Sequence, residues 1–126
     1  MFKIIIKTKN IDADENLKRY IHEKIGSLEK LFPEEEEIIT EVEVGKPSKH
    51  HKKGPHFYAE ANISIPGPKK PLRAESYQEE ITAAIDEIKD ILFTKINRFK
   101  DKKETKRRKR RRRAKRIMHL WPFGKK

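Results

Sequence analysis

The chain has 126 residues, 32 basic and 20 acidic side chains, a formal net charge of +12 and no cysteine. That length holds one modest core, and the lack of cysteine excludes a disulfide framework or a thiolate metal site. Twelve of the cations and none of the acids lie in Thr105 to Lys126, so residues 1–104 carry 20 charges of each sign and are formally neutral.

Phe2, Ile4 and Ile6 alternate with Lys3, Ile5 and Lys7, the period of two that marks a strand with one drier face. This apolar run is too short for a signal peptide, and nothing approaches the ~20 apolar residues of a membrane span, so a soluble cytoplasmic protein is expected. Asp12 and Glu15 form a capping-box variant ahead of Leu17, Tyr20, Ile21, Ile25, Leu28 and Phe32 at helical spacing, with Pro33 ending the helix. Ile38, Thr40, Val42 and Val44 then alternate with polar positions up to Gly45, a second strand. A third runs through Phe57, Ala59, Ala61, Ile63 and Ile65, and a short fourth places Leu72 and Ala74 inward. Ser76 and Glu79 read as a second capping box, opening a helix whose apolar face is Tyr77, Ile81, Ala84, Ile85, Ile88, Leu92, Ile96 and Phe99. The order βαβββα, with every strand apolar on one face, predicts an α/β (α+β) open sandwich: a four-stranded sheet covered on one face by two helices.

Two domains of unequal character follow from the charge distribution, a folded body over 1–104 and an arginine-rich tail over 105–126. From Thr105 to Arg116 the only apolar side chain is Ala114. Self-repulsion and backbone entropy with no burial to offset them predict a tail that is disordered when free, or at most a frayed helical extension. Its basic run is Lys106, Arg107, Arg108, Lys109, Arg110, Arg111, Arg112, Arg113, Lys115 and Arg116. A nucleic-acid arm, a membrane-surface patch and a nuclear address all fit such a run; the excess of arginine, which binds phosphate in bidentate fashion and stacks on bases, favours RNA. The segment after it contains Trp121 and is read as a small docking segment, with base stacking as the alternative.

Within the body, Lys18, Lys24 and Lys30 lie on or beside the outer side of the first helix, and Lys95, Arg98, Lys100, Lys102 and Lys103 crowd the end of the second. Lys49, His51, Lys52 and Lys53 sit in a basic loop between the second and third strands and read as phosphate-facing residues, a plain solvated loop being the competing reading. His50, His51 and His56 do not make a zinc site, since adjacent loop histidines point apart and their neighbours are lysines. The Glu34 to Glu37 run reads as a solvated linker rather than an acid/base pair, since nothing nearby would split its pKa values, and the glycines are too scattered for a phosphate loop, so no enzyme, metal or cofactor is expected.

The segment wording carries a resemblance. Ile4-Ile5-Ile6-Lys7, Ser27-Leu28-Glu29-Lys30-Leu31-Phe32, Ile63-Ser64-Ile65-Pro66-Gly67, Leu72-Arg73-Ala74-Glu75 and Ala83-Ala84-Ile85-Asp86-Glu87-Ile88 follow one another in the order and spacing of the ribosome hibernation promoting factor family, which includes the ribosome-associated inhibitor A proteins. The chain resembles a short form of that family, since it has no residues for the C-terminal dimerisation domain of long forms. The resemblance implies a fold similar to double-stranded RNA-binding domains and a place in the small-subunit channel. There it would block messenger RNA and the A and P sites during starvation or stationary phase. It implies rRNA contacts at Lys18, Lys24, Lys30, Arg98, Lys100 and Lys102, and a ribosome-associated protein that is monomeric when free, with no small-molecule or membrane partner. Where family members read D-K-L-E-R-Q-L, this chain has Asp90-Ile91-Leu92-Phe93-Thr94-Lys95-Ile96, losing two cations, with Lys95 placed to compensate. The arginine-rich tail is not a general family feature. A general RNA-binding or RNA-chaperone protein acting through the tail is the rival reading.

Overall fold

A strand whose apolar residues recur at every second position can bury only one face, and four such strands here share a single sheet. The computed structural model describes residues 1–47, 56–66 and 70–120, with side chains as far as residue 113. The elements are β1 (Phe2–Lys9), α1 (Glu15–Gly26), a 3₁₀ turn (Ser27–Leu31), β2 (Ile38–Gly45), β3 (Phe57–Ser64), β4 (Leu72–Gln78) and α2 (Ile81–Leu120). The sheet order is β1-β2-β3-β4. The first pair is parallel and the other two antiparallel. A parallel pair needs a crossover, and α1 supplies it.

Register sorts the side chains. Ile6, Val42, Ala61 and Ala74 form one cross-strand row of the inner face, and Ile4, Thr40, Ile63 and Leu72 the next. The core is completed by Ile21 and Ile25 of α1, Leu28 of the 3₁₀ turn, and Ile85, Ile88 and Leu92 of α2, all fully buried. Burying such a side chain contributes about 1.5–3 kcal/mol, so this one apolar face accounts for most of the favourable folding energy.

Two backbone details fix where β1 and β2 end. Asn10 has φ of 60°, a left-handed conformation that asparagine tolerates, and its side-chain amide donates to the Lys46 carbonyl at 3.2 Å. Opposite, a Cβ at Gly45 would lie 2.1 Å from the Lys9 carbonyl oxygen, so no other residue fits without moving backbone.

Three local expectations are corrected. The N-cap of α1 is Asp14, not Asp12, its carboxylate accepting the Leu17 N–H at 2.8 Å. The α-helix stops at Gly26 rather than running to Phe32: the Ser27 hydroxyl donates to the Lys24 carbonyl at 2.6 Å and the chain tightens into the 3₁₀ turn. Phe32 is extended and packs on Phe2, with ring centroids 6.1 Å apart. Finally, Ser76 is not a helix cap. β4 continues through it to Gln78 because Ser76, Tyr77 and Gln78 pair with Ala59, Tyr58 and Phe57, and α2 begins at Ile81. Ser76 is instead a buried inner-face residue whose hydroxyl donates to Glu87 at 2.9 Å.

The chain divides into two compact units, Met1–Lys95 and Ile96–Lys126. In the second, the helix continues to Leu120, so the helical extension is the described conformation of the basic run. Beyond Ile96 no described side chain is buried.

Thr40 stands out in the inner face. It is fully buried, and its hydroxyl has no hydrogen-bond partner among the described residues. Thr40→Val keeps the shape and removes the unpaired oxygen, so stability is expected to rise by about 1 kcal/mol in urea unfolding; a loss of stability would show that the hydroxyl is satisfied in solution.

Candidate nucleic-acid interface

The sheet of the first unit leaves its second face open. On that open face, register aligns Lys7, Glu43, Glu60 and Glu75 in one row across all four strands, with Glu41 and Arg73 in the row beside it. Arg73 is held by Glu60 at 3.3 Å and Glu75 at 3.5 Å. Tyr58 lies on the same side, covered by the Tyr77 ring at 5.9 Å and donating its hydroxyl to Glu43 at 3.0 Å. Burial, then that hydrogen bond, pushes its pKa up to about 12. Lys3 and Lys9 share this face, which therefore sets four cations, Lys3, Lys7, Lys9 and Arg73, against four carboxylates and carries no net charge.

On α1, the core positions Ile21 and Ile25 fix which residues face water. Lys18 is exposed and lies 4.0 Å from the Glu15 carboxylate, a contact weak enough to leave most of its charge available. Lys24 is turned toward α2 instead. Its ammonium lies 3.8 Å from the Asp86 carboxylate and 5.6 Å from the Tyr20 ring centroid, while the Tyr20 hydroxyl donates to the same carboxylate at 2.6 Å. Lys24 thus belongs to a clasp between the helices, with much of its charge already answered. Lys30 is exposed on the 3₁₀ turn, at the rim of an open groove of about 860 Å³ that Glu29, Glu34 and Glu36 also line.

Along α2, Lys95 donates to the Arg73 carbonyl oxygen, so the cation expected to compensate for Thr94 is held by β4. Arg98, Lys100, Lys102 and Lys103 are exposed, as are Lys106 to Arg113. Within this stretch Arg108 pairs with Glu104 at 3.6 Å. The loop residues Lys49, His51, Lys52 and Lys53 lie outside the described residues, as does Trp121; Lys115 and Arg116 belong to the helix, but their side chains lie outside the description.

One residue escaped the sequence reading. Arg19 is exposed, carries no bonded partner among the described residues, and sits beside Lys18. Its signal was angular: two residues from Ile21 at about 100° per residue places it roughly opposite the core. His22, also exposed, falls between Lys18 and Arg19 around the helix. The cationic residues on this face of α1 are therefore Lys18 and Arg19, with Lys24 turned away from it.

The model of the family described as "Sigma 54 modulation protein / S30EA ribosomal protein" matches residues 4–104. The chain belongs to this family. Among curated relatives it is 24% identical over 102 residues to a protein named ribosome hibernation promotion factor from Lactococcus lactis subsp. cremoris (strain MG1363), covering 81% of this chain and 51% of the relative. A protein of the same name from Staphylococcus aureus (strain COL) is 28% identical over 102 residues, covering 81% of this chain and 50% of the relative. The chain thus spans about half the length of the curated relatives it matches. The fold is that of the family's solved domains. The Thermus thermophilus Protein Y N-terminal domain superposes with a TM-score of 0.60 at 25% identity, covering 77% of this chain and 94% of that one. A ribosomal subunit interface protein from Coxiella burnetii gives 0.53 at 20% identity, covering 79% and 98%. The family match ends at residue 104, so the arginine run lies beyond it.

The interhelical clasp gives a pH signature. The hydrogen bond to Asp86, then burial and the carboxylate's charge, raise the Tyr20 pKa from 10.0 to about 12. A raised value means that the stabilisation is fully present below pH 10 and is lost as pH climbs through about 12. Tyr20→Phe should cost about 1–2 kcal/mol at neutral pH in denaturant unfolding, and should reduce the tyrosinate absorbance change near pH 12, leaving the contribution of Tyr58. Unchanged stability with an unchanged titration would show that the clasp is not formed in solution.

Proposed function

We propose that this protein is a ribosome hibernation factor. In this reading it acts in the cytoplasm on the small ribosomal subunit, occupying the channel of messenger RNA and the A and P sites and silencing translation by steric occlusion under starvation or in stationary phase. The observation that carries the reading is the family match over residues 4–104, on a fold shared with ribosomal subunit interface protein domains. Exposed cations support it: α1 offers Lys18 and Arg19, and the end of α2 offers Arg98, Lys102 and Lys103. In this scheme such cations meet rRNA and the body fills the space that substrates need, with no chemistry required of the protein.

The tail supplies affinity in this scheme. Each phosphate neutralised releases condensed counterions, so binding should weaken with salt in proportion to the number of cations engaged. A second reading, a general RNA-binding protein acting through the tail alone, draws on the density of arginine in the exposed helix.

The two readings separate in one competition experiment. If the body plugs the channel, messenger RNA and transfer RNA pre-bound to small subunits exclude the protein, whereas a non-specific arm binds regardless. With ~8 tail phosphates engaged, the log-log salt slope is expected to be about −6 to −7. Undiminished binding to substrate-filled subunits would remove the occlusion mechanism.

A further inference from the structure

The tail's cations are arranged around its helix in a way that specifies the shape of its partner. From Arg98 to Arg113 the helix of the second unit carries 12 basic and two acidic residues in 16 positions. At about 100° per residue these cations leave no sector wider than about 60° uncovered. Lys102, Lys109, Arg112 and Arg113 occupy one side; Lys103, Arg107, Arg110 and Arg111 occupy the opposite one. All eight are exposed, and none has a bonded partner among the described residues.

A helix that lies on a flat anionic surface needs charge on one side only. On a bilayer it also needs an apolar face. Phe99 is the only apolar residue between Asn97 and Arg113, so no such face exists. Cations on every side are also costly to keep. Like charges three and four residues apart destabilise a helix by about 0.2–0.5 kcal/mol per pair, and only Glu104 and Asp101 are present to relieve them. Phosphates on all sides remove that repulsion; phosphates on one side leave half of it.

Charge density agrees. Sixteen helical residues span about 24 Å, which gives roughly one net positive charge per 2.4 Å of axis. Double-stranded DNA carries about one negative charge per 1.7 Å, counting both strands, and a single strand one per about 3.4 Å. One strand therefore has too few phosphates to neutralise the segment, and two strands have enough. A-form RNA walls its deep major groove with phosphates on both sides, and an internal loop or bulge widens that groove, which is otherwise too narrow for a helix about 10–12 Å across.

We infer that residues 98–113 bind as a helix enclosed between two phosphate walls of double-stranded RNA, with cations on opposite sides contributing equally. The inference rests on the RNA-binding reading above and adds the class and shape of the tail's target.

The test uses the full chain and an RNA duplex of roughly 20 base pairs interrupted by an internal loop, somewhat longer than a double-stranded RNA-binding domain covers. One variant carries Lys102→Gln, Lys109→Gln, Arg112→Gln and Arg113→Gln. The other carries Lys103→Gln, Arg107→Gln, Arg110→Gln and Arg111→Gln. Glutamine has a helix propensity close to that of lysine and arginine, so the helix is retained. Each variant should lower the magnitude of the log-log salt slope by about 3, and the two losses should match. A loss confined to one variant, as a flat anionic surface such as a bilayer would produce, overturns the inference. So does an unchanged slope in both. If the parent chain fails to bind small subunits while both duplex losses stand, the hibernation reading falls and this inference remains.

Discussion

The sheet has one apolar face, and the arrangement of everything else in the first unit depends on that constraint. Because the inner rows from Ile4 and Ile6 across to Leu72 and Ala74 must be covered, α1 and the first turns of α2 are committed to them through Ile21, Ile25, Ile85, Ile88 and Leu92. Every charged side chain is then pushed to a boundary with water. The open face takes Glu41, Glu43, Glu60 and Glu75 together with Lys3, Lys7, Lys9 and Arg73, and α1 takes Lys18 and Arg19. A single hydrophobic requirement thereby decides which charges a partner can meet on each face.

The second unit follows a different physical logic. After Ile96 no described side chain is buried, so hydrophobic packing does not stabilise the helix there, and helix propensity works against self-repulsion. Anionic partners alter that balance directly. In the proposed function, affinity from the tail is electrostatic, salt-sensitive and indifferent to sequence, whereas discrimination between targets falls to the body's shape and to the cations it presents.

Sequence periodicity was enough to establish the strands, the helices and their order, because period two and period 3.6 report directly on which face is buried. Local chemistry was ambiguous where one residue type serves two purposes. Asp12 and Asp14 are equally good caps on paper; only the Leu17 N–H pointing at Asp14 decides between them. Ser76 followed by Glu79 has the wording of a helix start, yet pairing with β3 extends the strand through it, a non-local effect that no window around Ser76 contains. The same limit applies to the site. Lys24 pairs with Asp86 on another helix and Lys95 donates to the Arg73 carbonyl, contacts that no window around either lysine contains. Arg19 was within reach, since its angle from Ile21 already placed it in water.

The central claim is that the body determines where the protein sits and the tail how tightly it holds. Hydroxyl-radical footprinting of small-subunit rRNA tests it most directly, comparing the parent chain with a variant in which Lys106 to Arg113 are all glutamine, each at saturating concentration. The account predicts the same protections around the A and P sites of the decoding channel for both proteins, with the variant requiring a higher concentration to reach them. Loss of the channel protections in the saturated variant, or protections outside the channel for both, would contradict it.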